Sequence, residues 1–285
     1  MPELPEVETM VRGLRPAMLQ TQIRMVETLD AFLLHGCDHD SICKSLINKT
    51  VTEIHRRGKW VLIEVDSGPV LVIEPRMTGG FWLVQPERPE HARMIFHTSG
   101  NPDKIWFCDI RRLGRIRLYD NLAKAGEAIS RSQAEDALVI TCDQLAHRLK
   151  KTSRPIKPAL MDQKIVSGVG NIYADEILFA SKVHPERVSA LLKKTEIQKI
   201  HQNMSIVLNK AIEAEGTSFD AGYRTVLGLE GGFLAINAMY GHGGEPCPEC
   251  GTAIVKTQII GLVNRPTHYC PVCQKLPAKR QSPKP

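Results

Sequence analysis

The 285-residue sequence lacks the long apolar runs that membrane proteins need. No stretch reaches the roughly 18 apolar residues of a membrane-spanning helix. The chain begins Met1-Pro2-Glu3-Leu4-Pro5-Glu6, which is acidic, whereas a secretory signal begins basic and then becomes apolar. The sequence also has no internal repeat and no glycine-rich phosphate loop of the Walker type. These absences predict a cytoplasmic protein that has no membrane anchor and uses no nucleotide cofactor.

The composition is that of a folded globular protein. Hydrophobic residues make up 42% and charged residues 24% of the chain, and the length predicts about two domains. The net charge of +6 permits a polyanionic partner without requiring one. The excess is concentrated at the C-terminal end, because residues 231–285 carry six bases and only two acids.

The periodicity of apolar residues changes along the chain. Helical spacing near the start predicts an amphipathic helix from about Pro5 to Leu19, with its apolar face at Val7, Met10, Val11, Leu14 and Met18. Short β-branched and aromatic segments between turn residues then predict a β-sandwich or barrel; they are Trp60–Val65, Val70–Glu74, Ala92–Thr98, Lys104–Ile110 and Arg115–Tyr119. From about Ala134 the pattern predicts helices at Asp143–Lys150, Pro158–Gln163, Ile172–Ala180 and Glu196–Glu215, with Asn171 as an N-cap. The five glycines of residues 216–232 predict an exposed, mobile loop.

Four of the eight cysteines have the spacing of a metal site. Cys247 and Cys250 form one Cys-x2-Cys pair, Cys270 and Cys273 form a second, and 19 residues separate the pairs. Four thiolates close a tetrahedron around one Zn²⁺ and leave no position for a reacting water, so the zinc is expected to be structural. The intervening residues predict a hairpin that presents Arg265 near its tip. Four unrelated buried cysteines are the alternative, which the doubled spacing disfavours.

The first residues offer a second kind of chemistry. Removal of Met1 would expose the secondary amine of Pro2, and an α-amino group has a pKa near ~8, so part of it is unprotonated at neutral pH. Such an amine can attack a sugar C1′ to give an iminium, with Glu3 as general acid and Glu6 as a supporting carboxylate. Alternatively, Pro2 and Pro5 simply start a helix whose dipole the two glutamates complement. These residues alone favour the alternative.

Five blocks in order along the chain resemble one family, the formamidopyrimidine-DNA glycosylases, which are bacterial base-excision enzymes that are also AP lyases. The blocks are Met1–Thr9, Arg56–Trp60, Asp109–Gly114, Lys157–Ala174 and the two cysteine pairs. The resemblance implies an α+β multidomain protein with an N-terminal helix and β-sandwich, a helix-two-turn-helix domain and a zinc-ribbon hairpin. It implies domains at 1–133, 134–232 and 233–275 and a flexible tail at 276–285, with the loop at 216–232 capping an everted base.

The resemblance also implies a role for each matching residue. Pro2 resembles the Schiff-base nucleophile, Glu3 the proton donor, Lys59 the lysine that assists elimination, and Arg265 the zinc-finger arginine linked to the second elimination. Met77, Arg111 and Leu113 are similar to the residues that fill the gap left by a flipped nucleotide. Phosphate contacts are implied for His91, Lys157, Asn171 and Arg265, with weaker ones at Lys151 and Arg154.

The implied partner is damaged double-stranded DNA, bound by a monomer with one structural zinc ion. The implied substrates are oxidised purines, chiefly 8-oxoguanine and formamidopyrimidines, which are removed before β,δ-elimination. Leu113 departs from the phenylalanine that is usual in the family, and an aliphatic side chain stacks less well than a ring. Two alternatives stay open: a relative of the endonuclease VIII type acting on oxidised pyrimidines, and a zinc-ribbon protein that binds distorted DNA without catalysis.

Overall fold

The computed structural model describes residues 2–219, 222–259, 261 and 264–276. The chain forms two compact units, one from Met1–Gln133 with Leu208–Ile236 and one from Ala134–Val207 with Asn237–Pro285. The domain boundaries expected from the sequence stay a prediction. The predicted loss of Met1 and the predicted tail beyond residue 276 lie outside the described residues. Within the described part, no helix is both long and apolar enough to cross a membrane.

The first unit is built from two antiparallel four-stranded sheets and three helices. Its elements in chain order are α1 (Leu4–Met18), β1 (Ile23–Thr28), α2 (His39–Leu46), β2 (Val51–Arg57), β3 (Trp60–Val65), β4 (Val70–Glu74), β5 (Gly79–Trp82), β6 (Ala92–Thr98), β7 (Lys104–Asp109), β8 (Arg115–Tyr119) and α3 (Leu122–Ser132). One sheet has the strand order β1-β6-β7-β5 and the other the order β2-β3-β4-β8.

Strand β3 shows why the sandwich forms. Its side chains alternate between two apolar surroundings, since successive residues of a strand point to opposite faces. Val61 and Ile63 face the core shared by α1 and both sheets. Trp60 and Leu62 face the other way and pack with Ala125 and Ile129 of α3. Burial on both faces therefore accounts for the nearly unbroken apolar run of this strand.

Helix α1 begins where its local sequence satisfies the first backbone N–H groups. Glu3 is the N-cap, and its carboxylate and that of Glu6 form a reciprocal capping box. Pro5 follows near the N-terminus, where a missing N–H costs nothing. The apolar residues predicted from the helical spacing are buried in the sandwich core, so the predicted helix is confirmed.

The second unit contains helices and a zinc-ribbon-like hairpin. Its elements are α4 (Cys142–Leu149), α5 (Ile156–Met161), α6 (Asn171–Ala180), α7 (Lys194–Glu213), β9 (Val255–Gln258) and β10 (Pro266–Tyr269), and α7 runs on into the first unit. Residues 171–179 of α6 are all buried. This helix is therefore the centre of its unit.

The predicted fold class and all five predicted strands are confirmed, whereas three local predictions were wrong. Helical structure begins at Leu122 in α3, before Ala134. Asn171 is the first residue of α6 and Gly170 is its N-cap. The loop at 216–232 is not generally exposed: among its described residues Thr217, Tyr223 and Val226 are buried. Its polar groups find partners in the first unit, which glycine content alone does not indicate.

Candidate functional site

The start of α1 is a buried carboxylate site. Pro2, Glu3 and Glu6 are all buried. The backbone N–H of Glu3 donates to Oε2 of Glu6 over 2.8 Å. The other oxygen of Glu6, Oε1, accepts from the backbone N–H of Thr217, also over 2.8 Å. One carboxylate thus fixes the residues beside Pro2 and ties them to the loop after α7.

The loop that meets Glu6 is shaped to approach it closely. Gly216 has φ +83°, and a Cβ there would lie 3.0 Å from Oε1 of Glu6. The hydroxyl of Tyr223 donates to the backbone carbonyl of Glu215 over 3.1 Å. Burial, followed by the nearby charge of Glu6, raises the pKa of Tyr223, so this tyrosine stays a neutral donor.

Lys59 lies in the two-residue turn between β2 and β3, and not within a strand. Gly58 has φ +60°, as the first central position of a type II′ hairpin turn requires. A chain of contacts holds this turn to α1. Oε2 of Glu8 accepts from Nε of Arg56 over 2.9 Å, and Nη1 of Arg56 donates to the carbonyl of Gly58 over 3.0 Å.

The Glu8 carboxylate keeps its charge in this chain of contacts. Burial alone would raise the pKa of Glu8, but the charges and hydrogen bonds of Arg56 and Arg12 outweigh it and lower the pKa. The ion pair with Arg56 is therefore present at neutral pH. Through this ion pair, α1 and the turn that carries Lys59 are held next to each other.

The two segments expected to fill a DNA gap meet at a buried aspartate. Oδ1 of Asp109 accepts from the hydroxyl of Thr78, which follows Met77, over 2.5 Å. The same oxygen accepts from the backbone N–H of Arg111 over 3.2 Å, and Oδ2 accepts from that of Gly114 over 2.6 Å. Asp109 is completely buried. Its carboxylate therefore holds the Met77 segment against the loop that carries Leu113.

Sequence reasoning assigned no role to Asp109. Asp109 is the last residue of β7 and precedes a charged loop, a position where a polar residue commonly ends a strand. Its complete burial is the signal, because an aspartate is rarely buried without several donors around it. On the loop itself Arg111 is exposed and Leu113 is 38% exposed.

His91 lines a cavity of about 260 Å³ within the first unit. It ends the short 3-10 turn Pro89–His91, which precedes β6. Other lining residues include Thr78, Arg88, Cys108, Tyr223 and Arg224. Nε2 of His91 is buried and has no hydrogen-bond partner among the described residues. A buried ring nitrogen without a partner is suited to a polar group of a bound molecule.

In the second unit Asn171 is buried, whereas Lys151 and Arg154 are exposed. Asn171 is buried at the start of α6, and its Oδ1 has no hydrogen-bond partner in the described part of the chain. A helix N-terminus favours an anion. Lys151 and Arg154 are exposed, and Nη2 of Arg154 contacts Oδ2 of Asp162 over 2.7 Å.

Lys157 is buried, in contrast to the exposed cation that a phosphate contact suggests. Its Nζ lies 2.7 Å from Oδ1 of Asp175 and donates to the carbonyl of Pro266 over 2.9 Å. Oδ2 of Asp175 accepts from the backbone N–H of His268 over 3.0 Å. The phosphate contact expected from the sequence stays a prediction, whereas the contacts of its fully buried ammonium give Lys157 a structural role. It joins α5 and α6 to β10, directly after the exposed Arg265.

The four cysteines of the predicted zinc site converge. Their sulfur atoms all lie within 4.8 Å of one another, and two of the separations are 4.0 Å (Cys247 to Cys273) and 3.4 Å (Cys250 to Cys270). A tetrahedral ZnS₄ site with Zn–S bonds of ~2.3 Å has sulfur separations of about 3.8 Å. The donor set therefore fits one structural zinc ion. Gln274 anchors the second pair, because its side chain bonds both the N–H of Cys270 and the carbonyl of Val183, each over 2.9 Å.

Three family models match the chain. They are described as the formamidopyrimidine-DNA glycosylase N-terminal domain (residues 1–116), the formamidopyrimidine-DNA glycosylase H2TH domain (134–221) and the zinc finger found in FPG and IleRS (244–276). Together they define the class of DNA glycosylases that combine an H2TH domain with a zinc finger.

Relatives and solved structures agree with these models over nearly the whole chain. Formamidopyrimidine-DNA glycosylases of an Exiguobacterium species and of a Synechocystis species are each 37% identical over 96% of this chain, and cover 100% and 98% of the relatives. The structure is similar to that of MutM (Fpg) from Thermus thermophilus, with TM-score 0.84, 33% identity and coverage of 96% and 98%. It is also similar to Lactococcus lactis Fpg in complex with DNA that contains an abasic site, with TM-score 0.85, 29% identity and coverage of 96% and 100%. The chain belongs to the formamidopyrimidine-DNA glycosylase family.

Proposed function

We propose that this protein is a bifunctional DNA glycosylase and AP lyase of base excision repair that removes oxidised purines from duplex DNA. The observation that carries the proposal is the buried arrangement of Pro2 and Glu3 at the start of α1, fixed by both oxygens of Glu6. A simple helix start needs neither a buried N-terminal proline nor a carboxylate shared with a distant loop. A catalytic amine needs a fixed direction of attack, which this arrangement supplies.

The reaction begins at the imino nitrogen of Pro2 once Met1 is removed. Its lone pair attacks C1′ of the damaged nucleotide, and the bond from C1′ to the base breaks with its electrons leaving on the base. The departing base takes up the proton that the attacking amine loses, which returns a lone pair to the nitrogen. Glu3 donates a proton to the sugar ring oxygen as the C1′–O4′ bond opens, which leaves an iminium between Pro2 and C1′. The glycosylase step and the covalent intermediate therefore come from one nucleophile.

Strand cleavage follows from the acidity of the iminium. The cationic C=N bond draws electrons from C2′–H, so loss of that proton expels the 3′ phosphate, and a second elimination expels the 5′ phosphate. Lys59, on the turn held to α1 through Arg56 and Glu8, is the group proposed to assist elimination. Arg265 is proposed to neutralise a departing phosphate, a task suited to an exposed guanidinium beside the zinc hairpin.

Recognition requires the damaged nucleotide to leave the base stack. We propose that Met77, Arg111 and Leu113 fill the gap. The proposal is supported by Asp109, which accepts hydrogen bonds from Arg111 itself and from Thr78 and Gly114, the residues that follow Met77 and Leu113. His91 and Asn171 are proposed to contact phosphates, and each has a buried polar atom that no described group satisfies. Lys151 and Arg154 add exposed positive charge for nonspecific contacts. The four cysteines would hold a structural zinc ion, which takes no part in bond making.

Borohydride trapping tests the proposal, because borohydride reduces an iminium to a stable bond between protein and DNA. We expect wild-type protein to become linked to a duplex that contains 8-oxoguanine and not to an undamaged duplex of the same sequence. Pro2→Gly is expected to lose most trapping and excision, and intact mass is expected to show that Met1 is absent. Efficient excision by protein that retains Met1 would refute the mechanism.

A second duplex separates the proposed substrate class from its nearest alternative. Faster excision of thymine glycol than of 8-oxoguanine would instead indicate a pyrimidine-directed enzyme of the endonuclease VIII type. Tight binding to both lesion duplexes without any trapping would indicate the non-enzymatic alternative, a zinc-ribbon protein that recognises distorted DNA.

A further inference from the structure

We propose that Phe32 and Arg112 form a stacking platform for a nucleobase of the bound duplex, beside the loop that carries Leu113. The proposal rests on the proposed DNA-binding function and adds to it a contact made by a segment outside the resembling blocks. We use the name Phe32 turn for residues 29–33.

The Phe32 turn presents an aromatic ring to solvent on a fixed base. Residues Ala31–Leu33 form one turn of 3-10 helix, which Asp30 caps by accepting the backbone N–H of Phe32 over 3.2 Å. Leu33 is completely buried, whereas Phe32 is 69% exposed. The core therefore anchors the turn through Leu33 and leaves the neighbouring ring free on its outer side. An exposed ring on a rigid turn loses little conformational freedom when it contacts a ligand.

Arg112 holds its guanidinium against this ring. Its Nε and Nη2 contact the two oxygens of Asp30 over 2.5 and 2.9 Å, in a bidentate ion pair. Its Cζ lies 5.4 Å from the centroid of Phe32, within the range of a cation–π contact. The hydrogen bond from Arg112 lowers the pKa of Asp30, so the pair stays charged at neutral pH. Ring and cation are thus fixed relative to each other.

The platform is continuous with the loop proposed to fill the gap. Arg112 precedes Leu113 directly, and a Cβ on Gly114 would lie 3.4 Å from Cδ2 of Leu33. Leu29, Ile110 and Leu113 are also exposed. Leu29 belongs to the Phe32 turn, and Ile110 and Leu113 belong to the loop that also carries the exposed cations Arg111 and Arg112. Their mixture fits bases and phosphates together, since a base offers a flat apolar face beside a negatively charged backbone.

A nucleobase is the occupant that this chemistry favours. Every base has a π-face that stacks on an aromatic ring, and arginine adds a cation–π contribution. Leu113 has no ring and can fill a gap only by its volume. Phe32 therefore supplies the aromatic face that the gap-filling loop itself lacks.

The test uses full-length zinc-loaded protein and duplexes that carry an uncleavable abasic-site analogue. 2-Aminopurine, a fluorescent base, is placed in turn opposite the analogue and at the two neighbouring positions of that strand. We expect wild-type protein to quench at least one position through stacking. Phe32→Ala is expected to abolish that quenching and to raise Kd about tenfold, in the range of a lost base–aromatic stack. Met25→Ala, which shortens another exposed apolar side chain of the first unit, is the control and is expected to change neither.

Two further variants distinguish stacking by the aromatic ring from the mere filling of space by an apolar side chain. Phe32→Leu keeps an apolar side chain and is expected to lose the quenching, whereas Phe32→Trp is expected to restore it. Unchanged quenching and Kd in Phe32→Leu and Phe32→Ala would overturn the platform. Borohydride trapping of the wild type is measured in parallel with 8-oxoguanine DNA. Its absence would refute the proposed reaction, whereas a platform failure with normal trapping would leave that reaction intact.

Discussion

The carboxylate of Glu6 accepts a hydrogen bond from the backbone N–H of Thr217 over 2.8 Å, although 211 positions separate the two residues. The same carboxylate accepts from Glu3 through its other oxygen. The chain start, which carries the proposed nucleophile, is therefore positioned by a loop from the far end of α7. Within the first unit, any change that loosens this loop is expected to loosen Pro2 as well.

Replacing Glu6 by glutamine tests this coupling. An amide has a single oxygen, so one of the two buried N–H groups would face an NH₂ group and lose its acceptor. We expect Glu6→Gln to lower the free energy of unfolding by about 1–3 kcal/mol and to slow borohydride trapping. Glu53→Gln is the control, since the side chain of Glu53 is 50% exposed and its ion pair with Arg15 is long, at 3.7 Å. Its one backbone donor, the N–H of Ile54, bonds a single oxygen, which an amide keeps. Equal stability of Glu6→Gln and the wild type would contradict the coupling.

Because the pKa of Glu8 is lowered, its contribution to stability is expected to depend on pH. A carboxylate with a lowered folded-state pKa contributes stability above its ordinary pKa of 4.5 and loses that contribution as the pH falls through the folded-state pKa. Glu8→Gln lacks the charge at every pH. We therefore expect the Tm difference between wild type and Glu8→Gln to be largest near pH 6 and to shrink below pH 4.5. A difference that stays constant between pH 6 and 3.5 would show that the Glu8 charge contributes nothing.

Lys157→Met and Lys151→Met are expected to affect different properties, the first the stability of the fold and the second the binding of DNA. Loss of Lys157 leaves Asp175 buried without its cation, which costs about 3–5 kcal/mol of stability. Loss of the exposed Lys151 changes stability little but reduces the slope of log Kd against log salt by about 1 if it contacts a phosphate. Denaturant titration and salt-dependent DNA binding measure the two effects. A normal stability with a reduced salt slope in Lys157→Met would instead restore Lys157 as a phosphate contact.

Removing one zinc ligand is expected to disable the hairpin. Cys247→Ser should lose the single bound zinc and bind DNA more weakly, because folding of the hairpin and metal binding are coupled. Cys142→Ser, on α4 away from the cysteine cluster, is the matched control and should keep both properties. Metal content by mass spectrometry and DNA affinity by anisotropy are the measurements. Full DNA affinity in zinc-free Cys247→Ser would separate the hairpin from DNA binding.

Local patterns predicted much of the fold. The helical spacing of Val7 and Leu14 identified α1, since burial on one face of a helix imposes a period. The β-branched run of Trp60–Val65 identified β3, which is buried on both faces. The zinc site followed from cysteine spacing because two Cys-x2-Cys pairs on tight turns can supply the four thiolates of a tetrahedral zinc site. The burial of the loop around Thr217 could not be predicted in this way, since its partners lie far away in the chain.

The sequence by itself determined helix α1, the strands β3, β4, β6, β7 and β8, which four cysteines converge, and which chemical groups stand at the chain start. Only the tertiary structure decided the partners of the buried charges: Glu6 with Thr217, Asp109 with Thr78 and Gly114, and Lys157 with Asp175. The physical reason is that apolar periodicity is imposed by burial within a single element. The donor that satisfies a buried carboxylate is instead supplied by whatever segment the fold brings within 3 Å, and no local pattern marks that segment.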